Sequence, residues 1–427
     1  MLQPCVAHDA GRSLSTLTAG RPRPPVDAVE AGAHPARMSP APALRLTRLR
    51  LTDFRSYPSF AADFSGRIVA IAGENGVGKT NLLEAISLLG PGRGLRGARA
   101  AEIGRNTPDG PRPWAAFGRF ARPEGDCEIG TGTVGESGAE PRRRFRLDGA
   151  PVTTQAELAD RAGAVWLTPQ MDRLFQEGAA GRRRFLDRLV WALEPGHARE
   201  VAGHDTAMAG RNRLLAEGRR DVRWLAALED QMARHAVAAV AARRVLVSRL
   251  NALLAEGGAT GAFPAARLDL RCAIAAALDQ APALAVEDRL RADLAAGRAR
   301  DAAAGGAALG AHRSDFGLTH LPKGQPADLC STGEQKALLV SVVLGHALLI
   351  GRARGFAPLL LLDEVAAHLD QPRRVALYAA LAALPAQIFL TATEAEIFAP
   401  LEGVAEILLA APNGLSAAPG FALPNPA

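Results

Sequence analysis

The sequence predicts an α/β protein in which a sheet with covering helices is split into two halves by a helical insertion. Three observations support this prediction. A glycine-rich loop at 73–80 stands between a buried strand pattern and a helix pattern, which is the order that a phosphate-binding loop needs. Strand and helix patterns alternate again from 338 to 391, as they do in parallel sheets. Between the two halves, residues 182–304 are rich in Ala, Leu, Arg and Glu, which indicates amphipathic helices.

The individual elements are predicted from the period of their apolar residues. Residues 44–52 alternate apolar and polar side chains with one slip of phase, as in a half-buried strand, and 53–57 then turn the chain. A buried strand at 67–72 leads into the loop, and a helix at 80–89 follows it. The other predicted elements are strands at 114–120, 142–147 and 164–168, a hairpin turn at Asp148 and Gly149, a helix at 338–350, a strand at 358–362, a helix at 372–384 and a strand at 387–391.

Composition indicates a globular protein. The 427 residues, 48% of them hydrophobic, suffice for two or three domains. The net charge of +6 favours an acidic partner such as nucleic acid, although an arginine-rich coding bias would raise the charge without one. The longest apolar stretch, 337–350, is shorter than a bilayer span, so no membrane partner is expected.

The four cysteines are expected to be free thiols. Cys5, Cys127, Cys272 and Cys330 form no Cys-x-x-Cys pair and have no His at zinc-ligand spacing. Free thiols are typical of a reducing cytosol, so a cytoplasmic location is predicted.

Residues 1–43 are predicted to be a disordered leader that contributes nothing to the fold. They are rich in Pro, Ala, Gly and Arg, lack the apolar block of a secretory signal, and show no strand or helix period. Because Met38 stands just before the first patterned segment, a start codon placed too far upstream is our preferred explanation. Native protein that began at Met1 by N-terminal sequencing would contradict it. The predicted domains are a first half of the nucleotide-binding head at 44–178, an inserted helical arm at 179–305 and the second half of the head at 306–427.

The loop at 73–80 is a complete P-loop. Only three of the 50 basic residues are lysines, and one of them, Lys79, stands at the P-loop position whose ammonium reaches the β- and γ-phosphates of a nucleotide. Backbone N–H groups are expected to surround the phosphates, and the Thr80 hydroxyl is expected to bind Mg²⁺. ATP with Mg²⁺ is therefore the predicted cofactor, and the predicted contacts are Gly73, Glu74, Asn75, Gly76, Val77, Gly78, Lys79 and Thr80.

Two acids follow the predicted strand at 358–362. Asp363 is positioned to hold Mg²⁺, and Glu364, one residue further, to polarise the attacking water. A pair of surface acids after any strand is the alternative, but the P-loop upstream favours a hydrolytic site. Glu364, Lys79 and Ser331 are the predicted catalytic residues.

Ser331 opens the segment Ser-Thr-Gly-Glu-Gln-Lys at the start of the apolar helix. By itself the segment could be a helix N-cap with Glu334 in the capping-box position. Together with the P-loop and the acidic pair, it resembles the signature motif of ABC-type ATPases, which faces the nucleotide of a second subunit. Asp370 then stands at the D-loop spacing and is expected to cross the dimer seam.

Two further motif positions of that superfamily, the switch histidine and the Mg²⁺-sensing glutamine, have only candidate residues in this chain. No histidine follows the last predicted strand, where the switch histidine usually stands, so Thr391 or Thr393 is the candidate for the γ-phosphate contact. Gln170 is the candidate for the Mg²⁺-sensing glutamine, with a solvated loop glutamine as the alternative.

The motifs together resemble the RecF family, in the SMC-like branch of ABC-type ATPases, from about residue 44 to the C-terminus. The resemblance rests on 51–57, on the P-loop continued to Ile86, and on 182–187, 310–315 and 331–336. Ala311 and Ser314 stand where the family often has Pro and Asp, and the leader has no counterpart. Through the first of these motifs, the resemblance implies a nucleotide contact for Arg55.

The resemblance also implies a function. It indicates a weak, DNA-dependent ATPase that binds single- and double-stranded DNA in recombinational repair, replication restart and the SOS response. Recombination mediator proteins would be its partners, and ATP would drive a homodimer in which Ser331 of one chain completes the site of the other.

Two alternatives remain at this point. A transporter nucleotide-binding subunit usually has its P-loop and signature much closer than the 251 residues between Thr80 and Ser331, and it needs no basic arm. A non-catalytic DNA scaffold would tolerate loss of Glu364. A chromosome-organising SMC protein is disfavoured because it would need hundreds of heptad-patterned residues between the halves.

DNA contacts are predicted to be with the backbone, because five percent aromatics offer little for base stacking. The candidate clusters are Arg93, Arg96 and Arg99, then Arg142, Arg143 and Arg144, then Arg182, Arg183 and Arg184. Each cluster by itself is also typical of a solvated face or of ion pairing. The polar residues His312, Arg313 and Asp315 are expected either to support the signature or sense DNA, or to form a structural network.

Overall fold

The structure, a computed structural model, describes residues 44–133, 142–218, 221–257, 263–412 and 414–421. The predicted leader at 1–43 lies outside the described residues. The strands within them are β1 Arg45–Phe54, β2 Tyr57–Asp63, β3 Ile68–Ala72, β4 Asn106–Thr107, β5 Gly110–Pro111, β6 Ala115–Ala121, β7 Cys127–Thr133, β8 Arg143–Leu147, β9 Ala150–Pro151, β10 Ala164–Leu167, β11 Ala266–Arg271, β12 Asp315–His320, β13 Gln325–Pro326, β14 Leu359–Leu362, β15 Ile388–Ala392, β16 Ala405–Ala411 and β17 Gly414–Ala417.

The helices complete the set. They are α1 Lys79–Leu88, α2 Ala100–Ile103, α3 Gln155–Ala159, α4 Ala179–Leu193, α5 His197–Ala216, α6 Val222–Ala255, α7 Ala273–Leu278, α8 Ala283–Ala296, α9 Arg298–Ala304, α10 Thr332–Arg354 and α11 Gln371–Ala383.

The first sheet is antiparallel, in the order β2-β1-β6-β7-β8-β9. Its strand β1 buries Leu46, Leu49 and Leu51 on one side, as the alternating pattern predicts. The predicted slip of phase is a break in the β1–β6 register between Leu46 and Arg48. The predicted hairpin turn joins β8 to β9, where Asp148 and Gly149 both have positive φ.

The second sheet carries the P-loop. Its order is β10-β14-β15-β3-β16-β17, and all neighbours are parallel except the last pair. β15 therefore lies between β3, which precedes the P-loop, and β14, which precedes the acids. The carboxyl ends of these three strands meet at one edge of the sheet, which brings together segments far apart in sequence.

Side-chain alternation on β3 divides the core into two layers. Val69 and Ile71 face α1 and the antiparallel sheet, whereas Ile68 and Ala70 face α10, α4 and α6. Helix α1 is thus enclosed between the two sheets, and the P-loop at its start is held by packing from both sides. The described residues from 44 onward form a single compact unit.

The predicted all-helical character of 182–304 is wrong at β11. This strand pairs antiparallel with β12, with Leu268 opposite Leu318 and Leu270 opposite Phe316. The six residues alternate, but they stand in a long Ala-, Leu- and Arg-rich window whose composition favours helix. Long-range pairing with β12 outweighs this weak local preference. The domain boundaries at 178 and 305 stay predictions.

Helix α10 is longer than its predicted apolar bounds. It runs for 23 residues from Thr332 to Arg354, which by length and composition is enough to cross a membrane, contrary to the expectation from the shorter stretch. However, 83% of its most apolar window is buried inside the protein. A helix buried nearly all round is typical of the core of a large domain, and α10 fills that place here.

Candidate nucleotide site and its surroundings

The P-loop turns directly from β3 into α1. Gly76 and Gly78 have φ of 84° and 112°, in the left-handed region that favours glycine. A Cβ on Gly78 would lie 2.4 Å from the hydroxyl oxygen of Tyr57, whose side chain is buried. Glycine is therefore required at this position for two reasons: the backbone conformation and the close approach of Tyr57.

Lys79 reaches back over the loop. Its Nζ donates to the carbonyl oxygens of Gly73 at 2.6 Å and Glu74 at 3.0 Å, and it lies 3.9 Å from Glu364 Oε1. Burial lowers the pKa of the ammonium, while Glu364 and Asp363 oppose that shift. The side chain is 4% exposed, so its charge is held at a fixed point above the loop. This is where the motif places the phosphates.

Thr80 and Asp363 meet across 283 residues of sequence. The Thr80 hydroxyl lies 3.0 and 2.9 Å from the two oxygens of Asp363. Asp363 also accepts a 2.7 Å hydrogen bond from the hydroxyl of Thr391, at the end of the intervening strand β15. The parallel order of β3, β15 and β14 thus builds the predicted pair of metal-binding residues.

The donor set fits Mg²⁺. A hydroxyl and a carboxylate are hard oxygen ligands, and Mg²⁺ is commonly bound through one or two carboxylates together with substrate phosphates. Across the described ranges, no group of three or more His, Cys, Asp or Glu side chains could hold a metal ion. Thr80 and Asp363 would hold such an ion together with the phosphates of a nucleotide.

Gln170 lies near this edge. It belongs to a 3-10 turn, Pro169–Arg173, directly after β10, and β10 pairs with β14 in register up to Leu167 and Leu362. Its side chain is exposed. The position accords with the predicted metal-sensing role, which stays a prediction.

Glu364 has a strained backbone. Its φ of 51° is unusual for a residue with a side chain and costs on the order of 1–3 kcal/mol. The Glu364 amide donates to the Thr391 hydroxyl at 3.0 Å, which helps to hold this conformation. The carboxylate remains 28% exposed beside Lys79, where a water molecule could reach it.

Thr391 is the residue of this site whose role the sequence reasoning missed. Thr391 or Thr393 is the predicted γ-phosphate contact; the Thr391 hydroxyl is engaged by Asp363 and Glu364, and the residue is 1% exposed. In the sequence, Thr391 is recognisable only as a hydroxyl residue at the end of a predicted strand. That pattern does not indicate that its hydroxyl contacts Asp363 and Glu364.

Arg55 approaches α1 from the antiparallel sheet. Its guanidinium forms two hydrogen bonds, of 2.9 and 2.6 Å, with Glu84, which is 1% exposed, and a third with the Glu102 carbonyl oxygen. The structure thus gives Arg55 an ion-pairing role within the fold. The predicted nucleotide contact would require exchange of one of these bonds.

The segment at Ser331 is both an N-cap and an exposed motif. The Ser331 hydroxyl accepts from the Glu334 amide at 3.4 Å, and Glu334 Oε2 accepts from the Ser331 amide at 3.0 Å, so the capping box is complete. Glu334 also pairs with Lys323, and these contacts lower the pKa of Glu334 to about 2. Ser331 itself is exposed. A capped, exposed helix start can present its hydroxyl and amides to an anion.

The lysine of this segment links it to the turn that carries Gln170. Lys336 is 4% exposed and its Nζ lies 3.1 Å from Asp172 Oδ2. The start of α10 and the turn Pro169–Arg173 are therefore joined by an ion pair whose lysine is buried and whose aspartate is half-buried. Asp172 was not anticipated from the sequence, because its pairing with Lys336 spans 164 residues.

Asp370 caps α11 next to the same segment. Its Oδ1 accepts from the Arg373 amide at 2.9 Å. A Cβ on Gly333 would lie 2.8 Å from Arg373 Nη1, so the arginine packs directly on the signature-like glycine. The predicted D-loop and the Ser331 segment thus form one continuous surface.

Several arginines predicted to contact DNA are engaged inside the protein. Arg182 makes two 2.8 Å hydrogen bonds to Asp315, and Arg183 donates to the Ser314 carbonyl oxygen. Arg143 donates to the Thr131 hydroxyl and to two carbonyl oxygens, and burial lowers its pKa to about 9. Arg96 pairs with Glu84. A DNA contact at Arg143, Arg182 or Arg183 would require exchange of these bonds, and the predicted contacts stay predictions; by accessible surface Arg93, Arg99, Arg142, Arg144 and Arg184 are exposed.

The polar motif upstream of Ser331 forms contacts within the fold. The His312 ring stacks on His204 of α5 at 5.4 Å, and Arg313 donates to the Ala307 carbonyl oxygen at 3.0 Å. Asp315 is the partner of Arg182. The contacts favour the structural network among the interpretations open at the sequence level.

The order of the parallel sheet, the P-loop after β3, the acids after β14 and the capped segment at α10 define the head of an ABC-type ATPase. Residues 45–412 match the family model described as RecF/RecN/SMC N terminal domain. The chain is 50% identical over 364 residues to the DNA replication and repair protein RecF of Mesorhizobium japonicum, covering 85% of this chain and 95% of that protein. It is 48% identical to the RecF of Rhizobium meliloti, covering 86% of this chain and 97% of that protein.

A solved structure described as the recombination mediator protein RecF-ATPrS in the RecFOR pathway superimposes with a TM-score of 0.75 at 19% identity, covering 88% of this chain and 99% of that one. This likeness shows the shared fold. The relatives show the family: the chain belongs to the RecF family of DNA replication and repair proteins.

Proposed function

We propose that this RecF-family chain binds ATP with Mg²⁺, pairs with a second copy in the ATP-bound state, and binds DNA in that form during recombinational repair. The observation that supports the proposal best is the meeting of Lys79, Thr80, Asp363 and Glu364 at one edge of the sheet, joined by contacts of 2.9–3.9 Å. The match of most of this chain to relatives named DNA replication and repair protein RecF supports a role in DNA repair.

In this proposal each residue has a role set by its position. The P-loop amides and Lys79 bind the phosphates, and Thr80 and Asp363 hold Mg²⁺, which supplies positive charge to the phosphate oxygens when bound. Gln170 contacts the metal shell from the turn after β10. Glu364 orients and polarises the attacking water, because its carboxylate is exposed and fixed beside the loop.

The dimer follows from the position of the signature-like segment. Ser331 and Asp370 are exposed on one surface with the half-buried Gly333, whereas Lys79 is buried above its own loop. A two-fold pair would bring Ser331 of one chain to the nucleotide of the other and complete two shared sites. ATP then favours the pair because its γ-phosphate contacts both chains, and slow hydrolysis releases it.

The finer biological role is carried over from the family resemblance. We propose contacts with single- and double-stranded DNA, cooperation with recombination mediator proteins that load the strand-exchange protein at gaps, and support of SOS induction. The division into a head at 44–178 and 306–427 and an arm at 179–305 belongs to the same proposal. Free thiols at Cys127, Cys272 and Cys330 are consistent with action in the cytoplasm.

The test combines turnover and association. ATP hydrolysis is measured with and without DNA for the wild-type chain and for Glu364→Gln, and ATP-dependent pairing is measured by sedimentation. We expect Glu364→Gln to pair with ATP but to lose at least about 100-fold in turnover. Equal turnover in both proteins would favour the non-catalytic scaffold, and absence of ATP-dependent pairing in the wild type would contradict the shared site.

A further inference from the structure

Two arginine clusters that are distant in sequence line one groove. A cleft of about 1660 Å³ opens between the loop after α1, the turn Pro169–Arg173 and the helices α4 and α5. Nine arginines and three acids line it. Asp187 is paired with Arg243 and His197, Arg96 with Glu84, and Arg199 with Glu200, so arginines still outnumber acids in the lining after these pairs are set aside.

The rim of the groove carries exposed arginines from three separate segments. Arg93 comes from the loop after α1, Arg173 from the turn that also holds Gln170, and Arg184 from α4. All three are exposed, and within the described ranges none has an intramolecular hydrogen bond or ion pair from its guanidinium. Their charges are therefore available to an external anion.

The lining also includes two half-buried arginines, Arg143 and Arg188, whose hydrogen bonds go to neutral groups. Arg188 is stacked between the rings of Trp166 and Phe185, at 4.9 and 5.0 Å, and its polar contacts are the Trp166 carbonyl oxygen and the Met171 sulfur. Arg143 donates to a hydroxyl and to carbonyl oxygens. Because none of these contacts is with an acid, the two guanidinium groups add positive potential to the groove.

The shape and the aromatic side chains indicate which anion fits. Arg93, Arg173 and Arg184 come from three separate segments around a cleft of about 1660 Å³, a size that suits a chain of phosphates better than a single phosphate. Trp191 is covered by the loop, since a Cβ on Gly92 would lie 2.8 Å from its ring, and Trp166 is covered by Arg188. The two rings are not free to stack on bases, so the contacts are with the backbone and independent of sequence.

We propose that this groove is the track for the phosphodiester backbone of DNA, an inference that rests on the DNA binding proposed above and assigns its location. The same groove reaches the nucleotide site by two contacts. Arg173 shares its turn with Asp172, which pairs with Lys336 at the start of α10, and the loop after α1 is tied to α1 through Arg96 and Glu84. Strand binding is thereby coupled to the P-loop helix and to the Ser331 segment.

The test uses the full chain with a matched control. In one variant Arg93, Arg173 and Arg184 are replaced by alanine; in the control, three exposed arginines outside the groove, Arg112, Arg223 and Arg249, are replaced in the same way. Both variants lose the same charge. A third variant carries lysine at the three groove positions. Binding of fluorescent single-stranded and duplex oligonucleotides is measured with ATP over a range of salt concentrations.

The groove variant is expected to bind DNA at least about tenfold more weakly, with a slope of log affinity against log salt reduced by about 2 to 3 for duplex. The control variant should bind within about twofold of the wild type, and the lysine variant should retain most of its affinity because it keeps the charges. ATP-dependent pairing should be unchanged in all three, which shows that the fold is intact.

The outcomes separate the two proposals. A groove variant that pairs with ATP but binds both oligonucleotides like the control overturns the groove assignment and leaves the proposed function standing. A wild-type chain that fails to bind either oligonucleotide overturns the proposed DNA binding itself. Loss confined to one oligonucleotide supports the groove and identifies the form of DNA that it accepts.

Discussion

The Thr391 hydroxyl donates a 2.7 Å hydrogen bond to Asp363 and accepts a 3.0 Å hydrogen bond from the amide of Glu364. One side chain on β15 therefore fixes both acids that follow β14. The relationship exists because β15 lies between β14 and β3 in the sheet, so that its last residues face the neighbouring strand end.

Replacing Thr391 with valine is expected to reduce ATP turnover by about 10- to 100-fold, because hydrogen bonds to charged groups contribute about 1.5–3 kcal/mol. Nucleotide affinity should change less, since the P-loop and Lys79 are untouched. Steady-state hydrolysis and equilibrium binding of a fluorescent nucleotide measure the two effects. Thr391→Ser keeps the hydroxyl and should retain most of the turnover; equal losses in both variants would contradict the role of the hydroxyl.

Lys79→Ala should abolish ATP-driven pairing as well as turnover, because the ammonium is the fixed charge above the P-loop. Lys79→Arg should fail too, since the lysine is 4% exposed and its Nζ is held at 2.6 Å from the Gly73 carbonyl oxygen. A planar guanidinium does not fit where a compact ammonium is enclosed. Sedimentation with and without ATP gives the measurement, and ATP-dependent pairing of Lys79→Ala would be the contrary result.

The buried His346 predicts a loss of stability in mild acid. Burial lowers the pKa of His346 to about 3, and the ring contacts the Leu189 carbonyl oxygen at 2.9 Å. In the unfolded chain the pKa is near its ordinary value, so the unfolded state takes up a proton first as pH falls below about 6.5. Stability should thus be complete above that pH and decrease as pH falls toward 3.

Urea unfolding at about pH 7.5 and about pH 5.5 tests this prediction for the wild type and His346→Gln. The histidine should account for about 1.4 kcal/mol of the difference between the two pH values. The glutamine can donate to Leu189 without titrating, so its loss over the same interval should be smaller by that amount. An identical pH dependence in both proteins would remove His346 as the cause.

The Lys336–Asp172 ion pair should couple the two segments that it joins. A double-mutant cycle with Lys336→Met and Asp172→Asn is expected to give an interaction free energy of unfolding of about 1–2 kcal/mol. Turnover should fall in each single variant while nucleotide affinity is retained, because neither residue touches the P-loop. As a control, the exposed Arg289–Asp293 pair should give a smaller coupling in the same cycle. Additive effects at Lys336 and Asp172 would argue against coupling.

The local elements could largely be read from the sequence, because each depends on a short pattern. The P-loop at 73–80, the buried strand before Asp363 and the N-cap at Ser331 all lie where their patterns place them. Strand β11 is not predicted from the sequence, because its partner β12 begins 44 residues after the end of β11. No local pattern in the sequence indicates a pairing over that distance.

The contacts of the arginines could not be predicted from a local pattern either. The three clusters look alike in the sequence, yet Arg143 is half-buried and donates to carbonyl oxygens, Arg182 pairs with Asp315, and Arg184 is exposed at the groove. Consecutive residues on a helix or strand point in different directions, so their neighbours depend on packing. A run of like charges therefore does not say which of its members face solvent.

The sequence by itself determined the class of site: a P-loop, an acidic strand end and a capped serine segment in an order typical of one superfamily. These are motifs whose chemistry depends on residues close together along the chain. Only the tertiary structure showed that Thr391 fixes Asp363 and Glu364, that Lys336 reaches Asp172, and that distant arginines share one groove. The physical reason is that such contacts are decided by strand order and helix packing, which bring together residues that no local pattern connects.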